Sequence, residues 1–322
     1  MDDTKGANQV TNTKQQLRHL LTLEELTAEG LTDLLELAKA VKQAPTTYAH
    51  TLSGKKVALL FEKASTRTRI SFEVGVIELG GHPIVLNGSD MQIGRGESLG
   101  DTIQVMSRYV DALMIRTFAH ETVETLAEHG TIPVINGLTD MHHPCQVLAD
   151  LLTIEEHFGQ RTGKVLTYIG DGNNMAHSLL IGGALSGMTI RICSPAAYAP
   201  DEMIVEQAKQ LAKKTGGKIE QYTDPEKAVV GTDIIYSDVF ASMGQEEQAG
   251  KRLEAFEGYQ VNQTLLKLAA DDVIFLHCLP AHRGEEVTAE VIDGPYSVVF
   301  DQAENRLHAQ KALMIELIGS TQ

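Results

Sequence analysis

The sequence predicts an α/β fold, two doubly wound parallel-sheet domains joined by interdomain helices. Short apolar runs suited to buried strands alternate with helical patterns along the chain. The alternation breaks at the polar, glycine-bearing segment Gly159-Gln-Arg-Thr-Gly163 and then restarts. A length of 322 residues accommodates two domains of ordinary size, each with its own core. Residues 1–150 are read as the first domain and 151–302 as the second, with a C-terminal helix within 303–322 returning to the first.

Taken in order, Leu17 to Val41 carries leucines at helical spacings, with Thr22 and Thr32 as candidate caps, so one or two helices come first. Val57 to Phe61 is an apolar run that reads as a buried strand, and Ser65-Thr66-Arg67-Thr68-Arg69 follows it. Ile70, Val74 and Ile77 then recur at helical spacing until Gly80-Gly81 stops the pattern. Further strands are expected at Pro83 to Asn87, Ala112 to Arg116 and Ile132 to Asn136, with helices at Ser98 to Tyr109, Glu121 to Glu128 and Pro144 to His157. The last of these helices is read as the bridge between domains. In the second half the strands are Val165 to Ile169, Ile190 to Cys193, Ile219 to Tyr222, Ile234 to Ser237 and Val273 to His277, and a helix is expected over Ala303 to Ile318.

Bulk properties narrow the function. A hydrophobic content of 43% with 22% charged residues is that of a globular chain. A formal charge of −16 argues against non-specific nucleic-acid binding, which needs a basic surface. The sparse cysteines, Cys145, Cys193 and Cys278, argue against a disulfide framework and for a reducing compartment. No apolar run approaches a membrane span, and the polar stretch Met1 to Lys14 lacks a signal or transit pattern. A cytoplasmic protein is expected.

Ligands of open parallel sheets bind beyond the carboxyl ends of the strands. The unusual residues of this chain fall there: Ser65 to Thr68, Arg116, His143-Pro-Cys-Gln146, Asp171-Gly-Asn-Asn174, Asp238 and His277-Cys-Leu-Pro280. Hydroxyls and an arginine at a helix N-terminus suit a phosphate, because first-turn N–H groups and the helix dipole already favour an anion and a guanidinium adds a fork. A plain N-cap followed by solvated basic residues fits the same residues. No Gly-x-x-x-x-Gly-Lys precedes the helix, so ATP is not implied. Gly170-Asp-Gly-Asn-Asn-Met175 lacks the third glycine of a dinucleotide loop, and Cys193-Ser194-Pro195 stands where an acidic residue is needed. His143, Cys145, His277 and Cys278 lack the spacing of a zinc site. Neither a metal nor an organic cofactor is expected.

Together these motifs resemble the aspartate/ornithine carbamoyltransferase family. Phe61-Glu-Lys-Ala-Ser-Thr-Arg-Thr-Arg69 resembles its carbamoyl phosphate signature, and His143-Pro-Cys-Gln146 its second site motif. Asp238-Val-Phe-Ala-Ser-Met-Gly244 and His277-Cys-Leu-Pro280 are similar to the amino-acid-side motifs of the ornithine branch. The resemblance implies carbamoyl transfer from carbamoyl phosphate to the side-chain amine of L-ornithine, in arginine metabolism. It gives the carbamoyl phosphate side to Ser65, Thr66, Arg67, Thr68, Gln92, Arg116, His143, Gln146, Cys278, Leu279 and Arg306, and the ornithine side to Asn174, Asp238, Ser242 and Met243. Arg116, His143, Cys278 and Asp238 take the catalytic roles, Gln92 reaches in from a neighbouring subunit, and a homotrimer or a multiple of trimers is implied. Aspartate or putrescine as acceptor, or a silent regulatory paralogue, are the alternatives. Phe240 departs from the tryptophan common in the ornithine branch and is expected to keep an aromatic wall.

Overall fold

A computed structural model describes residues 17–91, 96–241 and 249–319. The first helix, α1 (Ala28–Gln43), starts at Thr27, whose hydroxyl accepts the Gly30 N–H at 3.0 Å. Neither Thr22 nor Thr32 is the cap. Leu20 is drawn into a parallel bridge with Ile135, and Thr22 closes a turn on Glu25 at 3.0 Å, which delays the helix. Then come β1 (Lys56–Phe61), α2 (Thr66–Glu78), β2 (His82–Asn87), α3 (Leu99–Met106), β3 (Ala112–Arg116), α4 (His120–His129) and β4 (Val134–Leu138). The last strand is displaced from the expected Ile132 to Asn136, since Pro133 has no N–H for the ladder and a register shift between Ile115 and Arg116 pairs Arg116 with Leu138.

Helix α5 (Pro144–Phe158) leads to the second half and ends at Gly159, whose φ of 74° is the left-handed cap that favours glycine. There follow β5 (Val165–Ile169), α6 (Asn174–Leu185), β6 (Thr189–Cys193), α7 (Glu202–Thr215), β7 (Lys218–Tyr222), α8 (Pro225–Ala228) and β8 (Ile234–Ser237). Then α9 (Ala249–Ala255), α10 (Gln263–Leu266), β9 (Ile274–His277), α11 (Ala289–Ile292) and α12 (Val299–Ile318) complete the chain.

The strands form two parallel sheets, one ordered β2-β1-β3-β4 and the other β7-β6-β5-β8-β9. Strand order reverses between β1 and β3 in the first and between β5 and β8 in the second. A crevice opens at each such switch point, so both sheets offer a binding edge at their carboxyl ends.

Helices α5 and α12 pack against each other, and α12 also packs on α1 and α2. Every residue of α5 from Pro144 to Ile154 is buried, polar ones included. The α2 stripe differs from expectation. Ile70 and Ile77 are 55% and 58% exposed, whereas Phe72, Gly75 and Val76 are buried. The reason is α12, whose Lys311 and Met314 side chains lie against Gly75 and take the opposite face. Among the described residues no helix is long and apolar enough to cross a membrane.

Candidate active site

A cavity of about 480 Å³ lies at the carboxyl ends of β1, β3, β5, β8 and β9. Ser65 sits at the N-cap of α2, its hydroxyl accepting the Thr68 N–H at 3.2 Å. That satisfies one donor of the first turn, and such a turn offers others to a ligand. The N-cap therefore leaves the remaining first-turn donors at the cavity wall. Thr66, Arg67 and Thr68 line the cavity beside it.

Arg116, at the end of β3 where the register shifts, faces them. Its Nη1 donates to Thr68 Oγ1 at 3.4 Å, and Arg306 of α12 donates Nη2 to the same oxygen at 3.2 Å. Thr68 thus ties together two buried guanidinium groups. Burial, then the charges of Arg306 and Arg67, lower the pKa of Arg116 to about 10, and burial lowers that of Arg306. Both stay charged at neutral pH, so an acidic protein presents a local, partly desolvated cationic pocket. A dianion entering there relieves mutual repulsion as well as forming hydrogen bonds.

His143 precedes α5 and is 6% exposed; its backbone N–H is fixed by Ser178 Oγ at 2.8 Å. Burial, reinforced by Arg306, Arg116 and Arg67, holds the imidazole neutral, able to donate one N–H. Gln146 does not line the cavity. It stands behind Arg306, whose Nη1 donates to its Oε1 at 2.6 Å.

The opposite wall is built on Asp238, at the end of β8. Its Oδ1 accepts the Cys278 thiol at 3.0 Å and the Val239 N–H at 2.8 Å, and Oδ2 accepts Asn173 Nδ2 at 3.0 Å. Burial, then the Asp238 charge, push the Cys278 thiol well up, so it is protonated and donates to the carboxylate. Asn174 faces the cavity with its Nδ2 on the Thr139 carbonyl at 2.7 Å. The preceding turn leaves no room for a side chain: a Cβ on Gly172 would lie 2.2 Å from Pro200 N. Leu279 lines the cavity between a cis peptide to Pro280 and His277, whose Nδ1 accepts the Leu279 N–H at 2.9 Å. The other ring nitrogen meets Glu286 at 3.1 Å, both side chains fully buried, which fixes Nε2 as the protonated one.

Of the residues expected at the site, Gln92, Ser242 and Met243 lie outside the described residues. Phe240 does not form a wall of the cavity; it is 3% exposed and stacks on Phe256 at 4.6 Å. Lys63 lines the cavity and was missed. It is 8% exposed, ion-paired with Asp140 and 4.3 Å over the Phe118 ring. A lysine in a short connection has no periodicity, and only its place within the Phe61 to Arg69 motif could have drawn attention to it. His143, Cys145, His277 and Cys278 do not converge; the metal-type ligands that do, among the described residues, are His282, Glu285 and Glu286.

A cationic cradle on one sheet facing a carboxylate on the other, with hydrogen-bond donors between them, defines a two-domain group-transfer enzyme that joins an anionic donor to an amine. The chain belongs to the aspartate/ornithine carbamoyltransferase family. The family's carbamoyl-P binding domain matches residues 18–156 and its Asp/Orn binding domain residues 162–317. An ornithine carbamoyltransferase of Listeria monocytogenes is 56% identical over 302 residues, covering 94% of this chain and 96% of the relative. One from Carboxydothermus hydrogenoformans is 51% identical, covering 94% and 98%. The solved ornithine carbamoyltransferase of Pyrococcus furiosus superposes with a TM-score of 0.92 at 51% identity, over 95% of this chain and 99% of that one.

Proposed function

We propose that the cleft transfers the carbamoyl group of carbamoyl phosphate to the side-chain amine of L-ornithine, giving L-citrulline and phosphate, with the donor held by the first domain and the acceptor by the second. The observation that carries this reading is the pairing of Thr68, Arg116 and Arg306 on one wall with the Asp238–Cys278 pair on the other. Ser65, Thr66, Arg67 and Thr68 hold the phosphate. Arg116, His143 and Thr68 donate to the carbamoyl oxygen, where charge grows as the amine attacks, and each such donor is worth roughly 10²–10³ in rate. The Cys278 and Leu279 carbonyls accept from the carbamoyl NH₂ and so orient the carbon, while Gln146, behind the cavity wall, holds Arg306 in place.

Ornithine's side-chain amine has an ordinary pKa of about 10.4, by analogy with lysine, and attacks only when neutral. The positive charge of Arg116 and closure of the cleft favour the neutral form. Because the thiol already donates to Asp238, the proton lost by the amine passes to the Cys278 sulfur as the thiol proton moves to the carboxylate. Asp238 and Asn174, with Ser242 and Met243, hold the α-ammonium and carboxylate ends. No residue of this scheme calls on a metal or organic cofactor. The working assembly is a homotrimer in the cytoplasm, with Gln92 supplied across an interface; exposed Ile70, Ile77, Val105 and Tyr109 of the first domain are the apolar surface available for it.

The division between walls is tested by Arg67→Ala and Asp238→Asn. Arg67→Ala should raise KM for carbamoyl phosphate and weaken inhibition by inorganic phosphate. Asp238→Asn should impair ornithine use while leaving phosphate inhibition unchanged. Equal effects of both variants on both substrates would contradict the division.

A further inference from the structure

Beyond the cavity, the connection from β9 to α11 folds back on itself. The Glu285 N–H donates to the His282 carbonyl at 2.9 Å and the Gly284 N–H to the Val287 carbonyl at 2.8 Å, with Gly284 at a φ of 96° that favours glycine. Gln260 Nε2 steadies the turn by donating to the Gly284 and Glu285 carbonyls at 2.7 and 2.9 Å. This turn brings His282 and Glu285, three residues apart, next to Glu286, so that one ligating atom of each lies within 4.8 Å of the other two. The His282 and Glu285 side chains are about half exposed, that of Glu286 is fully buried, and none of the three lines the cavity.

Only one oxygen of Glu286 is occupied. Oε1 meets His277 Nε2 at 3.1 Å and accepts the His282 backbone N–H at 2.7 Å, whereas Oε2, also buried, has no hydrogen-bond partner among the described residues. A buried carboxylate oxygen without a partner loses its hydration for nothing in return, so it calls for a donor or a cation. Arg283, next along the chain from His282, does not supply one, because its guanidinium is forked onto Asp293 at 2.9 and 2.6 Å. His282 Nδ1 and Glu285 Oε2 stand 3.4 Å apart. Two ligands at about 2.0–2.1 Å from a tetrahedral ion are separated by about 3.3 Å, so this edge already has the span of a chelate. One imidazole nitrogen with two carboxylate oxygens, and a water in the fourth position, suits zinc and its neighbours; calcium and magnesium favour all-oxygen sites.

We propose that His282, Glu285 and Glu286 form a binding site for a zinc-class divalent cation, separate from the substrate cavity, in which the ion takes Glu286 Oε2 and leaves Oε1 to His277. The ion ties the exposed turn to the buried Glu286–His277 pair, and His277 Nδ1 in turn holds the Leu279 N–H at 2.9 Å. Its role is to brace the connection that starts at Cys278, and no step of carbamoyl transfer passes through it.

The test is equilibrium dialysis of the full-length protein against zinc, in a Cys278→Ala background so that the cavity thiol cannot compete as a ligand. One zinc ion per chain should bind, and adding His282→Ala or Glu285→Gln should each weaken binding at least about tenfold. Both replaced side chains are half exposed, so the variants should fold. Zinc should raise the urea unfolding midpoint of the Cys278→Ala chain but not of the chain that also carries His282→Ala. Magnesium in large excess should not displace the zinc. Failure of the Cys278→Ala chain to bind zinc, binding that survives both further replacements, or displacement by magnesium would each overturn the proposal.

Discussion

Replacing Arg116 by methionine, which keeps much of the side chain's length and removes its charge, separates what the cationic pocket costs the ligand-free fold from what it gives the reaction. Arg116 is 9% exposed and its pKa falls from 12.5 to about 10, through burial and then the charges of Arg306 and Arg67. A cation whose folded pKa lies below its unfolded one is destabilising wherever it is charged in both states, which includes pH 7. At about 1.4 kcal/mol per pH unit, the fall from 12.5 to about 10 amounts to about 3 kcal/mol. The hydrogen bonds that Arg116 makes, that to Thr68 at 3.4 Å among them, take back about 1 kcal/mol each. The ligand-free Arg116→Met variant should therefore be more stable than the wild type by about 1 kcal/mol in urea unfolding at pH 7. Citrulline formation should meanwhile fall roughly 10²–10³-fold, and inorganic phosphate should stabilise the variant less than the wild type. A variant less stable than the wild type without ligand would refute the claim that repulsion and desolvation dominate at this residue. Turnover within about tenfold of the wild type would refute its role as an oxyanion donor.

The remaining predictions concern the supports of the site. Glu286→Ala leaves the His277 ring N–H and the His282 backbone N–H without their acceptor, and should cost about 2–5 kcal/mol in urea unfolding together with turnover, since the Leu279 segment loses its anchor. Cys278→Ala should lower kcat/KM for ornithine by about 10–10² while inhibition by inorganic phosphate is unchanged; a parallel weakening of phosphate binding would place the thiol in packing and not in proton transfer. His142, held neutral down to about 3 by burial and by His120 and His177, cannot take up the proton that the unfolded chain binds below about 6.5. Its contribution to stability is complete at pH 7 and is lost as pH falls from 6.5 towards 3, so His142→Gln should flatten acid destabilisation by about 1.4 kcal/mol per pH unit in that window.

Strands were the most legible part of the fold. β3, β5 and β8 coincide with their apolar runs residue for residue, because a buried parallel strand must be apolar on both faces. Helix α2 was legible as a helix but not in its facing. Ile70 and Ile77 make the stronger apolar stripe, yet α12, arriving from the far end of the chain, covers Phe72 and Gly75. Most residues that line the cavity could be read because they cluster at strand ends. Those that hold them could not. Asp150 and Gln302 are 152 residues apart and look like ordinary helical polar residues until the structure buries both. Glu286 and Arg252 are equally plain in sequence, and only folding sets one against His277 and the other against Asp171.

The central claim is that this cleft joins carbamoyl phosphate to ornithine and to no other amine. It is tested most directly by offering L-ornithine, L-aspartate and putrescine in parallel to purified wild type and Arg67→Ala and measuring the carbamoylated product. Product from ornithine alone, lost in the variant, is the predicted result. Product from aspartate or putrescine at a comparable rate would keep the phosphate cradle but contradict the assignment of the Asp238 wall, and no product from any of the three would contradict the activity itself.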